Sequence, residues 1–300
     1  MKRLTVFVLL LCLLHTTAVG ETAEPVLSYQ SETLRFTVES LCYEGAECYL
    51  TRIWMADPGQ QIRKATATWE QDLRYPSEMA EDIPGAALCI NGSGYVSPVF
   101  PGIPDDYPGD SPDYYFTPLG SLTITDGQVF RNLEGVAYYG LTLEADGLHL
   151  YNGAENARVL AANPMQTWSF YTRCPLVMDH ESILDTTWSF AQARAMRTVI
   201  AREDSGEYLI LTVTNRTSPG LTLLQVVTFL QSRYDPLWIY NLDGGPSAAL
   251  LAREADSEAL QVLFGNASRD ADVMAFVELP EEKRRLCPHQ RHKAFFSLHA

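Results

Sequence analysis

The chain has 300 residues, is 46% hydrophobic and carries a formal net charge of −15 at pH 7. A chain this acidic repels nucleic-acid phosphates, and no broad basic face offsets the charge. Past the N-terminus no apolar run approaches the roughly 18 residues that a membrane-spanning helix needs.

Residues 1–20 read as a secretory signal. Lys2 and Arg3 form a charged start, residues 4–14 an apolar run too short to span a bilayer, and Ala18-Val19-Gly20 a small-residue cleavage site. The expected product is secreted or held at the cell envelope, with no integral membrane segment. Its expected layout is a polar lead-in at 21–32, one domain over 33–280 and a basic tail over 281–300. Of the cysteines left after the leader, Cys42 and Cys48 can close a small loop and Cys174 can reach Cys287, with Cys89 over. Sequence leaves the connectivity open.

In chain order, Tyr49-Leu50-Thr51-Arg52-Ile53-Trp54-Met55 is β-rich and ends at an Asp57-Pro58-Gly59 turn. A polar stretch over residues 72–81 has helical character. Ala86-Ala87-Leu88-Cys89-Ile90 predicts a buried strand that feeds a turn at Asn91-Gly92. Residues 98–120 are rich in Pro, Asp and aromatics, and a loop of that length inside a domain points to a functional role. Hairpins are predicted at Asp126-Gly127 and Asp146-Gly147.

Thr222 and Gln225 form a capping box, and Leu223, Val226, Val227 and Leu230 the apolar stripe of the helix it opens. Leu237-Trp238-Ile239-Tyr240 then reads as a buried strand running into Asn241-Leu242-Asp243-Gly244-Gly245. Further strands are predicted at 259–264 and 273–279. Many strands, few helices and no strand–helix rhythm predict an α+β domain of mixed or antiparallel sheets with a few packed helices.

Several of these segments resemble, in order, the motifs of the phosphodiester glycosidase family. Asn241-Leu242-Asp243-Gly244-Gly245-Pro246-Ser247 is similar to its N-L-D-G-G-G-S signature, and Ser218-Pro219-Gly220-Leu221-Thr222-Leu223 to the S-x-G-x-T-L lead-in. Arg197-Thr198-Val199-Ile200-Ala201 resembles R-T-A-I-G, and Thr214-Asn215-Arg216 stands where D-G-R is common. Ile90-Asn91-Gly92-Ser93-Gly94-Tyr95 resembles I-N-G-G-F-F, and Pro175-Leu176-Val177 the P-x-L-V strand. The departures are Pro246 and Ala201 for glycines and Gly94 for an aromatic. Pro246 removes one backbone donor beside the signature.

The resemblance implies hydrolysis of a sugar-1-phosphodiester, which needs a carboxylate at the anomeric carbon and donors for the phosphate. Asp243 is the expected catalytic carboxylate, at the end of a rigid strand, with Gly244 and Gly245 allowing close approach to a ligand. Asn91 is placed to bind sugar hydroxyls or to orient Asp243. Arg197 and Arg216 are the expected phosphate ligands because a guanidinium fork can engage two oxygens. Thr198, Asn241 and Ser247 complete the expected substrate contacts. A phosphate leaving group needs little protonation, so no second carboxylic acid is nominated. Tyr107, Tyr114, Tyr115 and Phe116 are placed to stack on sugar faces.

No cofactor or metal is expected. Asp105, Asp106, Asp110 and Asp113 offer oxygen ligands for calcium but lack the EF-hand spacing and its closing glutamate. The expected partner is a carbohydrate or glycan phosphodiester. The competing reading is a non-catalytic carbohydrate-binding or surface protein on the same fold.

Overall fold

The computed structural model describes residues 24–67, 72–95, 116–133, 138–170, 173–255 and 257–281. The leader, the basic tail, the four aspartates considered for calcium, and Tyr107, Tyr114, Tyr115 and Cys287 lie outside those residues.

The chain opens with a meander of β1 (Glu24–Gln30), β2 (Leu34–Tyr43) and β3 (Ala46–Met55). In β2 the buried Leu34, Phe36 and Val38 alternate with exposed Arg35 and Thr37, the period-2 pattern of a strand with one face in a core. Glu44 and Gly45 both have positive φ, as a two-residue hairpin turn requires. The hairpin register pairs Leu41 with Cys48 and Cys42 with Glu47. Cys42 and Cys48 therefore project from opposite faces, one exposed and one buried, and the expected small disulfide loop does not form.

Asp57 caps a single helical turn, α1 (Pro58–Gln61), by accepting from the Gln60 backbone at 3.2 Å, so the expected turn is helical. Then follow β4 (Ile62–Thr66), α2 (Pro76–Glu81) and β5 (Ala86–Asn91). Both expected hairpins form, β6 (Leu122–Thr125) with β7 (Gln128–Asn132) and β8 (Tyr139–Glu144) with β9 (Gly147–Asn152). Next come α3 (Asn156–Ala161), β10 (Gln166–Trp168), β11 (Pro175–Met178), β12 (Glu181–Ser182) and α4 (Ser189–Gln192). The last third holds β13 (Arg197–Arg202), β14 (Tyr208–Val213), α5 (Leu223–Tyr234), β15 (Trp238–Asn241), β16 (Leu250–Ala252), β17 (Gln261–Phe264) and β18 (Asp272–Val277).

Two antiparallel sheets pack face to face. The larger has the order β1-β2-β3-β14-β13-β15-β11-β12, and the smaller β17-β16-β5-β18-β4. Phe36, Ile53, Ile200, Ile210 and Tyr240 of the first meet Leu88, Ile90, Leu250, Met274 and Phe276 of the second. Each such side chain contributes roughly 1.5–3 kcal/mol on burial.

The outer face of the larger sheet is covered by α5, whose Leu223, Val226, Val227, Phe229 and Leu230 pack on Val199, Leu209, Leu211 and Ile239. The capping box starts this helix, with Gln225 N donating to Thr222 Oγ1 at 3.2 Å and Thr222 N to Gln225 Oε1 at 3.0 Å. Asp235 ends it in a left-handed conformation, φ 44°. On the far side α2 sets Met79 and Ala80 against Cys89, Leu251, Val273 and Ala275. Covering both outer faces buries β14 and β5 completely, which is why their sequences are nearly unbroken apolar runs. The fold class is α+β, as the strand-rich pattern predicted.

Candidate active site

β15 is buried along its length and delivers the chain to the junction of the two sheets. Leu242 N still donates to Thr198 O of β13 at 2.9 Å, but Asp243 N donates to Gly92 O at 3.1 Å. The chain thus leaves the larger sheet at Asp243 and is held by the loop after β5 of the smaller one. A Cβ on Gly244 would stand 2.8 Å from Met196 O, so only glycine permits this approach. Gly245 adopts φ 59°, a left-handed conformation that glycine reaches without cost. Pro246 then lies in a 3₁₀ turn, Gly245–Ser247, at a position where the missing N–H is not needed. That position accommodates the departure from the family signature.

Asn91, Thr198 and Asn241 are fully buried. Asn91 Nδ2 donates to Asp243 O at 2.8 Å, while its Oδ1 accepts from Thr198 Oγ1 at 2.6 Å and Ala249 N at 3.0 Å. Asn241 Nδ2 donates to Leu242 O at 2.7 Å. These side chains clamp the signature loop from below. Of the two roles expected for Asn91, the geometry is that of holding the Asp243 segment, and Thr198 and Asn241 do not reach outward to a substrate.

The two arginines are engaged elsewhere. Strand alternation sends Thr198 toward the smaller sheet and Arg197 to the opposite face. There Arg197 Nη2 donates to Phe190 O at 2.9 Å and Ala193 O at 2.8 Å, and the guanidinium lies 4.2 Å from the Phe190 ring centroid. Arg197 fastens the α4 turn, and burial pushes it down to about 10. Arg216 donates to Glu47 Oε1 at 2.8 Å, Tyr49 OH at 2.6 Å and Leu263 O at 3.0 Å. The expected gathering of guanidinium groups around Asp243 is therefore corrected: Arg197 Nη2 is held by two backbone carbonyls of the α4 turn, with its buried Nε unpartnered, and Arg216 is held by Glu47, Tyr49 and Leu263 O.

Acidic groups gather there instead. Asp270 and Asp272, at the entry to β18, are 2% and 0% exposed. The Asp270 backbone is fixed by reciprocal hydrogen bonds with Arg74, and both its carboxyl oxygens are buried without a hydrogen-bond partner. Asp272 Oδ1 accepts from Ser93 N at 2.6 Å, and its Oδ2 lies 2.9 Å from Lys64 Nζ in an ion pair buried on both sides.

Burial pushes the Asp243 carboxyl up to about 7. The Gly244 N–H and the Ser247 hydroxyl pull it down, and the charge of Asp272 pushes it up. Burial, then the charge of Asp243, hold Asp270 well above the usual carboxylate range. The Ser247 hydroxyl, near enough to favour ionisation of both, stops short of satisfying the Asp270 oxygens. Tyr95, half-buried, is pushed up to about 12 by burial and then by the charges of Asp243 and Asp270. Both carboxyls are thus held above the usual carboxylate range, the kind of perturbation that acid–base sites show.

Sequence reading missed Asp270, Asp272 and Lys64. A signal existed in Asp270-Ala271-Asp272-Val273, where two carboxylates two residues apart lead into a strand that is otherwise apolar. The strand begins at Asp272, one residue before the start that its apolar run predicts. Gly94 also gains an explanation, because the Phe170 ring stands 2.5 Å from where its Cβ would be. Among the described residues no group of three or more His, Cys, Asp and Glu is arranged to hold a metal. None of their helices is long and apolar enough to cross a membrane.

The class defined by this geometry is a two-sheet antiparallel protein with a carboxyl-centred site where the sheets meet. The chain belongs to the phosphodiester glycosidase family, whose model matches residues 85–277. Two solved structures share the fold. The catalytic domain of zebrafish N-acetylglucosamine-1-phosphodiester alpha-N-acetylglucosaminidase, auto-inhibited by its pro-peptide, superposes with a TM-score of 0.60 at 14% identity, covering 86% of this chain and 88% of that one. A hypothetical protein from Synechocystis gives 0.52 at 15% identity, covering 86% and 68%. No curated protein matches the chain.

Proposed function

We propose that the chain is a secreted hydrolase that cleaves a sugar-1-phosphodiester in a glycan or cell-surface polymer, with Asp243 and Asp270 as its working carboxyls. The observation that supports this is the raised carboxyl pair, Asp243 on the loop that carries the family signature and Asp270 at the entry to β18. Asp243 is the less buried of the two and is the group to meet the anomeric carbon, as nucleophile or as base for water. Asp270, deeper and ionising later, keeps a proton to hand to the departing phosphate oxygen. A protonated carboxyl also lets an anionic substrate approach a site that is poor in cations among the described residues. The removable leader belongs to the same proposal, with the domain beginning at β1 (Glu24–Gln30) rather than at residue 33, because Leu27 and Tyr29 are part of the core.

The test is release of sugar from an N-acetylglucosamine-1-phosphate methyl diester, chosen because the zebrafish enzyme's name specifies that linkage. The expected pH profile of kcat/KM has a limb near 7, rising as Asp243 ionises. Asp270→Asn is expected to lose about 10² in kcat, the low end of the usual weight of one positioned acid, because a phosphate leaving group needs little protonation. The engagement of Arg197 and Arg216 favours the second reading, carbohydrate binding without catalysis. Glycan binding by the wild-type chain with no release of sugar from any such diester would select it.

A further inference from the structure

We propose that Lys64 and Asp272 are a positioning pair for this site, fixing the loop that holds Asp243 and cancelling the third negative charge of the cluster. The proposal rests on the carboxyl reading above and extends it to residues on two other strands. Taking both ions out of water costs several kcal/mol for each, so a fully buried pair beside two carboxyls demands a compensating role. Lys64 Nζ is anchored by Thr167 O at 2.7 Å as well as by Asp272, and it sits 5.6 Å from the Trp168 ring centroid. Asp272 in turn accepts from Ser93 N and fills the space beside Gly92, while Gly92 O receives the Asp243 N–H. Lys64 thus reaches the signature loop through one carboxylate and one glycine.

Among the described residues the charged and titratable groups around Asp243 are Asp270 and Asp272 from the β18 entry, Tyr95 after β5, and Lys64 on β4. Cys89 of β5 senses Asp270. Among the described ion pairs, only Lys64 brings a cation to a carboxylate of this cluster. In the wild-type chain burial and the charge of Asp272 push Asp243 toward its protonated form, and Lys64, 2.9 Å from Asp272 Oδ2, opposes that charge.

Three variants read this directly: Lys64→Met, Asp272→Asn and the double variant. The pH limb of kcat/KM and the carboxyl titration of Asp243 followed by NMR are both measured. Lys64→Met is expected to move the midpoint up by about one unit or more, and Asp272→Asn to move it down by a similar amount. The double variant, neutral again, is expected to return it close to wild type. Unmoved midpoints in folded single variants, or shifts of the same sign, would overturn the proposal. If Lys64→Met does not fold, the downward shift in Asp272→Asn and its reversal in the double variant still decide. A wild-type chain that releases no sugar contradicts the hydrolase reading instead, and the NMR titration then still reports on the pair.

Discussion

Asp243→Asn is expected to lose at least about 10³-fold in turnover of a sugar-1-phosphodiester while gaining stability at alkaline pH. The gain follows from linkage. Asp243 is raised from 3.8 to about 7 in the folded chain, so the stability tied to its protonated form is complete below pH 3.8. That stability is lost as pH rises through about 7. Asparagine never ionises and keeps it. The full shift corresponds to an upper bound of about 4 kcal/mol, and because Asp243 keeps some contact with solvent, about half of that is expected at pH 8. Urea titrations at pH 4 and pH 8 check the sign: the two proteins should match at the lower pH and separate at the higher. Equal stability at pH 8, with activity lost, would mean Asp243 is ionised without strain in the resting fold.

Gly92→Ala is expected to damage the fold and the site together. The new Cβ would lie 2.0 Å from Asp272 Oδ1 and 2.9 Å from Trp168 Cδ1. Neither neighbour can give way, since Asp272 is held by Lys64 and Ser93 N and Trp168 is 1% exposed. Overpacking of this kind costs about 1–3 kcal/mol, and the strained ion pair places the variant at the upper end. The Gly92 carbonyl that receives Asp243 N–H moves with it, so turnover should fall by about 10²-fold even at temperatures where the variant stays folded. Denaturant unfolding beside steady-state kinetics separates the two effects. A fully stable Gly92→Ala protein would contradict the packing described around Asp272.

What the sequence revealed was mostly local. The α5 helix was legible because its capping box and stripe lie within nine residues of one another in sequence, 222–230, and each reports helical spacing by itself. β5 and β15 were legible as apolar runs, and the hairpins as Asp-Gly turns. Asp243 stood out because two glycines follow a buried strand. What stayed hidden depends on partners far apart in the chain. Ser93 and Asp272 are 179 residues apart, and nothing near either announces the other. The Cys42–Cys48 expectation failed because spacing does not reveal hairpin register, and one residue of register decides which face a thiol occupies. Arg197 failed for the same reason: motif position put it beside Asp243 in the family pattern, whereas strand parity turned its side chain toward α4.

Carbon-13 NMR of a chain labelled at its aspartate carboxyls tests the raised carboxyl pair most directly. In the wild-type protein one buried carboxyl should titrate near pH 7 and a second well above the ordinary carboxylate range. In Asp243→Asn the step near 7 should vanish and the higher one should fall, since the Asp243 charge no longer opposes ionisation of Asp270. If every aspartate instead titrates at or below about pH 4, neither Asp243 nor Asp270 holds a proton at neutral pH, and the acid–base account is wrong.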